Sequence, residues 1–239
     1  MKTIGLVGGM SWESSAHYYR IINQAVQARL GGVHSARCLL YSLDFGDIAA
    51  KQHAGDWDAL TADMIDAAQR LEQGGADVVL ICTNTMHLMA DAVAAGIRVP
   101  LLHIADATGA RIRADGLEKV ALIGTAFTME QPFYTARLAE RFGLEVIVPE
   151  ADDRRTVHAI IYDELVKGVV NPASRVAYRE VMAQLAARGA QAIILGCTEI
   201  MLLVEKGDAS VPLYDTTTLH AMAAVEMALA VDSPKELRL

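Results

Sequence analysis

Two of the three cysteines in this chain stand in nearly identical settings. Val78-Val79-Leu80-Ile81-Cys82-Thr83-Asn84-Thr85 is echoed more than a hundred residues later by Ile193-Ile194-Leu195-Gly196-Cys197-Thr198-Glu199. Each apolar run reads as a buried parallel strand, preceded by a helix-ending Gly-Ala and followed by hydroxyl, amide or acidic residues suited to a helix N-terminus. The carboxyl ends of such strands are where α/β proteins place their chemistry. Two thiols on opposite sides of a small ligand can take a proton from one face of a carbon and return one to the other, which inverts a stereocentre. An ordinary thiol has a pKa near ~8.5, and a helix N-terminus lowers it, so one cysteine serves as base while the other waits as acid. The backbone N–H groups and side chains of Thr83, Asn84 and Thr85 would then hold a carboxylate and the charge that grows as Cα becomes a carbanion. The competing reading of a strand-end cysteine is a plain core residue, and Cys38, within Ala36-Arg37-Cys38-Leu39-Leu40-Tyr41, takes that reading.

The elements that position these thiols form an internal repeat. Thr3-Ile4-Gly5-Leu6-Val7-Gly8-Gly9 and Lys119-Val120-Ala121-Leu122-Ile123-Gly124-Thr125 open the two halves. Gly8 precedes Cys82 by 74 positions and Gly124 precedes Cys197 by 73, and each cysteine is followed by Val-Pro-Leu, at Val99 and at Val211. Strands are expected at 2–8, 37–43, 78–81, 101–104, 119–125, 144–148 and 193–196, with helices at 12–29, 58–73, from Thr83 onward, 153–167, 172–187 and 219–231. Residues 46–57 read as a short helix and loop over the strand ends. The fold class is α/β: two pseudo-symmetric units, each a small parallel sheet flanked by helices, with the active site in the cleft between them. No Ser/Pro-rich linker separates the units, so the expected division is 1–98 plus 212–239 for the first domain and 99–211 for the second, with the last helix packing back on the first.

Composition narrows the function. Of the 239 residues, 53% are hydrophobic, ample for a core. Asp and Glu number 29 against 21 Lys and Arg, and no basic run or aromatic-basic interleaving points to nucleic acid, so a small-molecule partner is favoured. No apolar run approaches the ~18 residues of a membrane span, and residues 2–8 are too short for the apolar part of a signal peptide. Three cysteines are too few and too odd in number for a disulfide framework. A cytoplasmic protein with free thiols and no membrane partner is expected. Gly5, Gly8 and Gly9 do not make the G-x-G-x-x-G of a dinucleotide site. Cys82 and Cys197 with His87 or His103 lack the C-x-x-C or H-x-x-x-H spacing of a zinc site, and His87 reads as a polar position on a partly exposed helix.

Gly8-Gly9-Met10-Ser11-Trp12-Glu13-Ser14, Cys82-Thr83-Asn84-Thr85-Met86-His87 and Gly196-Cys197-Thr198-Glu199-Ile200 resemble the aspartate/glutamate racemase family over essentially the whole chain, and most of all its aspartate racemase and broad-specificity amino-acid racemase branch. The resemblance implies a two-domain α/β homodimer that racemises amino acids without pyridoxal phosphate, other cofactor or metal. It gives Cys82 and Cys197 as the acid/base pair, the first serving the D-substrate and the second the L-substrate. It implies substrate contacts from Met10, Ser11, Gln52, Thr83, Asn84, Thr85, Lys167 and Thr198. Glutamate racemases proper open with Asp-Ser and carry His after the second Cys-Thr, where this chain has Val7-Gly8-Gly9 and Glu199. Aspartate-specific members pair a lysine like Lys167 with an arginine in the segment where this chain offers Gln52. The alternatives are a related enzyme on the same scaffold (maleate isomerase, hydantoin racemase or decarboxylase), and a cytoplasmic amino-acid-binding protein, which would have no need for duplicated thiols.

Overall fold

A computed structural model describes residues 1–230. The first half folds around a parallel sheet of β1 (Ile4–Gly8), β2 (Cys38–Ser42), β3 (Val78–Ile81) and β4 (Leu101–Leu102), in the order β2-β1-β3-β4. The second half repeats it with β5 (Lys119–Gly124), β6 (Glu145–Ile147), β7 (Ile193–Gly196) and β8 (Leu213–Asp215), in the order β6-β5-β7-β8. The repeat extends to register: Val79 pairs with Leu101 and Ile193 with Leu213, so each Val-Pro-Leu delivers its strand to the same place beside a cysteine strand. β1, β3 and β7 are buried along their whole length, as expected of parallel strands covered on both faces.

The covering helices follow from spacing and caps. The helix Trp12–Leu30 buries Ser14, Tyr18, Ile22 and Val26, one stripe at intervals of four, and starts where the Ser11 side chain accepts the Ser14 N–H. The turn before it depends on Gly9, whose φ of +85° belongs to glycine and whose missing Cβ would meet the Leu43 carbonyl oxygen at 2.1 Å. The helix expected at 172–187 is Pro172–Ala187, with Asn171 capping it. The helix expected after Thr83 is instead a 3-10 turn, Thr85–Met89, followed by the six-residue Ala90–Ala95. The strand expected at 101–104 ends after Leu102, because His103 caps the helix Ile104–Ala114 by accepting the Ala105 N–H.

The division of the chain differs from 1–98 plus 212–239 against 99–211. β4 belongs to the first sheet and β8 to the second, so each crossing comes one strand later than the prolines suggest. What crosses over is the helix after each fourth strand. Ile104–Ala114 packs against Val120, Leu122, Tyr134 and Ile194 of the second unit. Thr216–Leu229 packs Ala221, Ala224 and Val225 against Leu6, Tyr18 and Ile22 of the first. The exchange locks the units together through apolar burial at roughly 25 cal/mol per Å². The last helix was expected to run to Val231, which lies outside the described residues.

Candidate active site

The strand ends of the two sheets close on a cavity lined by Met10, Phe45, Gln52, Thr83, Asn84, Thr85, Thr125, Ile161, Tyr162, Val166, Gly196, Cys197 and Glu199. Its free space is about 30 Å³, enough for a water or two and too small for an amino acid. Side chains from the two units meet around it. The Tyr162 hydroxyl donates to Gln52 Oε1 at 3.1 Å, the Thr85 and Thr125 hydroxyls lie 3.0 Å apart, and Trp57 meets Phe127 edge to face at 5.3 Å. Ligand entry therefore has to part these contacts.

Cys197 follows β7 and forms part of the cavity wall. Its Sγ donates to Glu199 Oε2 at 3.1 Å. The same carboxylate accepts Thr198 Oγ1 at 2.7 Å and, through Oε1, Ser14 Oγ at 2.8 Å from the other unit. Burial pushes the Cys197 thiol well above its ordinary pKa and the neighbouring Glu199 carboxylate adds to the rise, while the N–H groups of Glu199 and Ile200 pull the other way. Cys82 occupies the equivalent place after β3, its N–H bonded to the Val7 carbonyl. It is only 1% exposed, packs among Tyr18, Ala221 and other apolar residues, and does not line the cavity. Burial raises its thiol pKa too. The thiol-lowering helix start expected from sequence is thus outweighed: one cysteine is followed by a 3-10 turn and the other by the four-residue helix Ile200–Leu203, whose dipoles are small against the cost of burying a thiolate.

Beside Cys82, Asn84 is buried with its orientation set by its partners. Thr216 Oγ1 donates to the Leu195 carbonyl, so it accepts from Asn84, which must present Nδ2 at 3.0 Å. Asn84 Oδ1, on a residue that lines the cavity, is left buried with no hydrogen-bond partner among the described residues. An unpaired buried acceptor costs about 1–3 kcal/mol, and a ligand N–H would relieve it. His87, expected on a partly exposed helix, is 2% exposed. Its Nδ1 lies 2.8 Å from the Thr83 carbonyl, which only accepts, so Nδ1 carries the hydrogen and Nε2 accepts the Ile104 N–H at 3.2 Å. The loop after Cys82 is thereby tied to the helix that crosses to the second unit.

Of the residues expected at the site, Met10, Gln52, Thr83, Asn84, Thr85 and Cys197 line the cavity. Ser11 is buried as a helix cap outside it. Thr198 faces a second, outer cavity on the far side of Glu199. Lys167 is exposed at the end of a 3-10 turn, and its neighbour Val166 reaches the cavity instead. Sequence reasoning did not single out Phe45, Thr125, Ile161, Tyr162 or Val166. Thr125 alone had a signal, as the repeat counterpart of Gly9 in the first turn.

The model of the Asp/Glu/Hydantoin racemase family matches residues 7–224. The chain belongs to that family. It is 22% identical over 236 residues to the broad-specificity amino-acid racemase RacX of Bacillus subtilis (strain 168), covering 96% of this chain and all of that one. Among solved structures, a protein from Yersinia pestis provisionally designated an Asp/Glu racemase shares 53% identity and a TM-score of 0.90 over 96% of this chain and all of that one. An aspartate racemase homologue from Pyrococcus horikoshii OT3 shares 33% identity and a TM-score of 0.82 over 95% and 99%. The racemase is accordingly an isomerase, and two four-stranded parallel sheets flanked by helices are its scaffold. In this racemase no described helix is long and apolar enough to cross a membrane, and no group of three or more His, Cys, Asp or Glu among the described residues is arranged to hold a metal ion.

Proposed function

We propose that the protein interconverts L- and D-amino acids by two-base proton transfer, with Cys82 and Cys197 as the acid/base pair. The observation that carries this is their equivalence: each thiol terminates the same strand of a repeated sheet, and the two strand ends flank one cavity. The substrate ammonium suits the unpaired Asn84 Oδ1, and the carboxylate suits the hydroxyls of Thr83, Thr85 and Thr125. Arrival of an ammonium next to a buried thiol favours the thiolate, which offsets the burial that keeps both thiols protonated in the empty site. One thiolate takes the Cα proton and becomes a thiol; the electron pair delocalises into the carboxylate; the opposite thiol returns its proton to the other face and becomes a thiolate. A cavity without room for bulk water strengthens each of these electrostatic contacts.

The walls left for the substrate side chain are Met10, Phe45, Ile161, Tyr162 and Val166 with the Gln52 amide, and among the described residues no lysine or arginine lines the cavity. Neutral side chains are therefore the favoured substrates over aspartate and glutamate. Incubation with each L-amino acid in D2O, followed by chiral chromatography and mass spectrometry, tests both statements. Deuterated D-product is expected from neutral amino acids, and Cys82→Ser and Cys197→Ser should each abolish it. Racemisation by either variant at an appreciable fraction of the normal rate removes the two-thiol mechanism. A tenfold preference for aspartate or glutamate removes the neutral side-chain assignment.

A further inference from the structure

Asn84 and Thr216 meet where the two units join. Thr216 opens the helix Thr216–Leu229, which leaves the second sheet and packs on the first, and both side chains are buried. Thr216 Oγ1 lies 3.0 Å from Asn84 Nδ2 and 2.9 Å from the carbonyl of Leu195 in β7. The hydroxyl has one hydrogen and the carbonyl can only accept, so that hydrogen goes to Leu195 and a lone pair is left facing Asn84. Only the NH2 end of the amide can meet a lone pair. The bond that fixes Nδ2 on Thr216 therefore turns Oδ1 away from it, and Oδ1 is the buried atom with no partner among the described residues. The other half of the repeat builds the same turn without this hydroxyl. Leu101 and Leu213 pair with Val79 and Ile193 in the two sheets, so His103 corresponds to Asp215 and Ile104 to Thr216. His103 and Asp215 each cap a helix by accepting the N–H two residues on, and Ile104 is as completely buried as Thr216. An apolar side chain thus serves the scaffold at this position, and the hydroxyl of Thr216 is there for its two partners.

We propose that Thr216 is a positioning residue that makes the site select amino acids over 2-hydroxy acids: by holding Nδ2 it keeps the amide oxygen of Asn84 free for the ligand nitrogen. This rests on Asn84 as the holder of the substrate ammonium, proposed above. An ammonium has hydrogens to give and no lone pair, so it binds the amide oxygen and is repelled by the NH2 end. A 2-hydroxyl both donates and accepts, and either end of the amide suits it. Without the Thr216 oxygen the amide is free to turn, and the penalty falls on the amino acid. Thr216 does not line the cavity, so it acts on the ligand through one of its two partners. The carbonyl of Leu195 stands two residues before Cys197 and is the competing route, one that would affect both ligands alike.

A double-mutant cycle separates the two routes. For Thr216→Val, Thr216→Ser, Asn84→Ala and the double variant Asn84→Ala/Thr216→Val, two quantities are measured: kcat/KM for the L-amino acid that the wild-type protein racemises fastest, and the inhibition constant of the matching 2-hydroxy acid. Thr216→Val, nearly the same in shape, is expected to lower kcat/KM about tenfold while the inhibition constant changes less than about twofold. Thr216→Ser keeps the hydroxyl and should recover most of the loss. In the Asn84→Ala background, Thr216→Val should change kcat/KM less than about twofold, because the group it positions is gone. If Thr216→Val does not fold, Thr216→Ala is read in the same way. An undiminished loss in the Asn84→Ala background assigns the effect to Leu195 and overturns the proposal. So does a parallel loss of turnover and of hydroxy-acid binding, or no loss in Thr216→Val. A normal kcat/KM in Asn84→Ala alone would instead reject Asn84 as the ammonium holder.

Discussion

Three buried histidines should make this protein acid-labile in a way that can be worked out in advance. His87, His103 and His220 cluster between the loop after Cys82 and the helix Thr216–Leu229, with ring centroids 4.5 Å apart for the first two and 5.7 Å for His87 and His220. Their bonds fit neutral rings: His220 Nε2 donates to the Leu102 carbonyl at 2.9 Å and Nδ1 accepts the Tyr18 hydroxyl at 3.0 Å, a bond that a second ring proton would force to reverse. Burial drives the pKa of His87 well below the ordinary value, helped by His103, and holds His103 and His220 down to about 3; Arg137 and Arg141 add to the effect at His103. The sign follows from which state binds the proton. Below the unfolded value of ~6.5 the unfolded chain takes up protons that the folded one refuses, so stability falls with falling pH from about 6.5 until the folded groups titrate near 3. Each histidine then costs about 2 kcal/mol at pH 5, and the three together about 6 kcal/mol, comparable with the whole stability of many domains. Urea unfolding between pH 8 and pH 5 measures this directly, because the slope of unfolding free energy against pH counts the protons taken up. An uptake approaching three is expected near pH 5, with a smaller share from half-exposed His158, whose pKa is lowered by burial as well. His220→Gln can keep both bonds while removing the titration, and should reduce the uptake by one. An uptake below two, or no change in His220→Gln, would refute the cluster as the acid-sensitive element.

Two further outcomes follow from the site. In the ligand-free protein iodoacetamide should label Cys197 on the order of tenfold faster than Cys82, since only Cys197 reaches the cavity; both rates should climb with pH because burial keeps the thiols protonated, and equal labelling in peptide mass spectra would contradict the asymmetry. Asn84→Ala should lower kcat/KM about tenfold to a hundredfold, the worth of a hydrogen bond to a charged group at about 1.5–3 kcal/mol, while inhibition by the matching 2-hydroxy acid, which lacks the ammonium, changes little; parallel losses for both would show that Asn84 does not hold the ammonium.

How much of this could be read from the residue order depends on whether the information is periodic. The paired sheets were legible because a duplicated strand repeats its whole context: the apolar run, the Gly-Ala before it, the Cys-Thr after it and the Val-Pro-Leu beyond. That pattern brought Cys82 and Cys197 to equivalent strand ends, but could not reveal that a two-residue β4 still belongs to the first sheet, since a strand so short has no periodicity of its own. His87 shows the same limit at a single side chain. Its spacing from Cys82 suggests an exposed helix face, and only the arrival of Ile104 from a later element buries it and uses its second nitrogen. Lys167 shows the converse. A cation close in sequence to a cavity-lining residue turns outward, because the short 3-10 turn that ends at Gly168 sends Val166 in and Lys167 out. Glu199 is the sharpest case, because the residue that gives its carboxylate meaning, Ser14, lies 185 positions away in the other unit. Among the described residues no lysine or arginine bonds this buried carboxyl group, and its donors are a thiol and hydroxyls from both halves. Separating the units therefore removes the Ser14 hydroxyl from that side chain, so the contact that shapes the site also resists its opening.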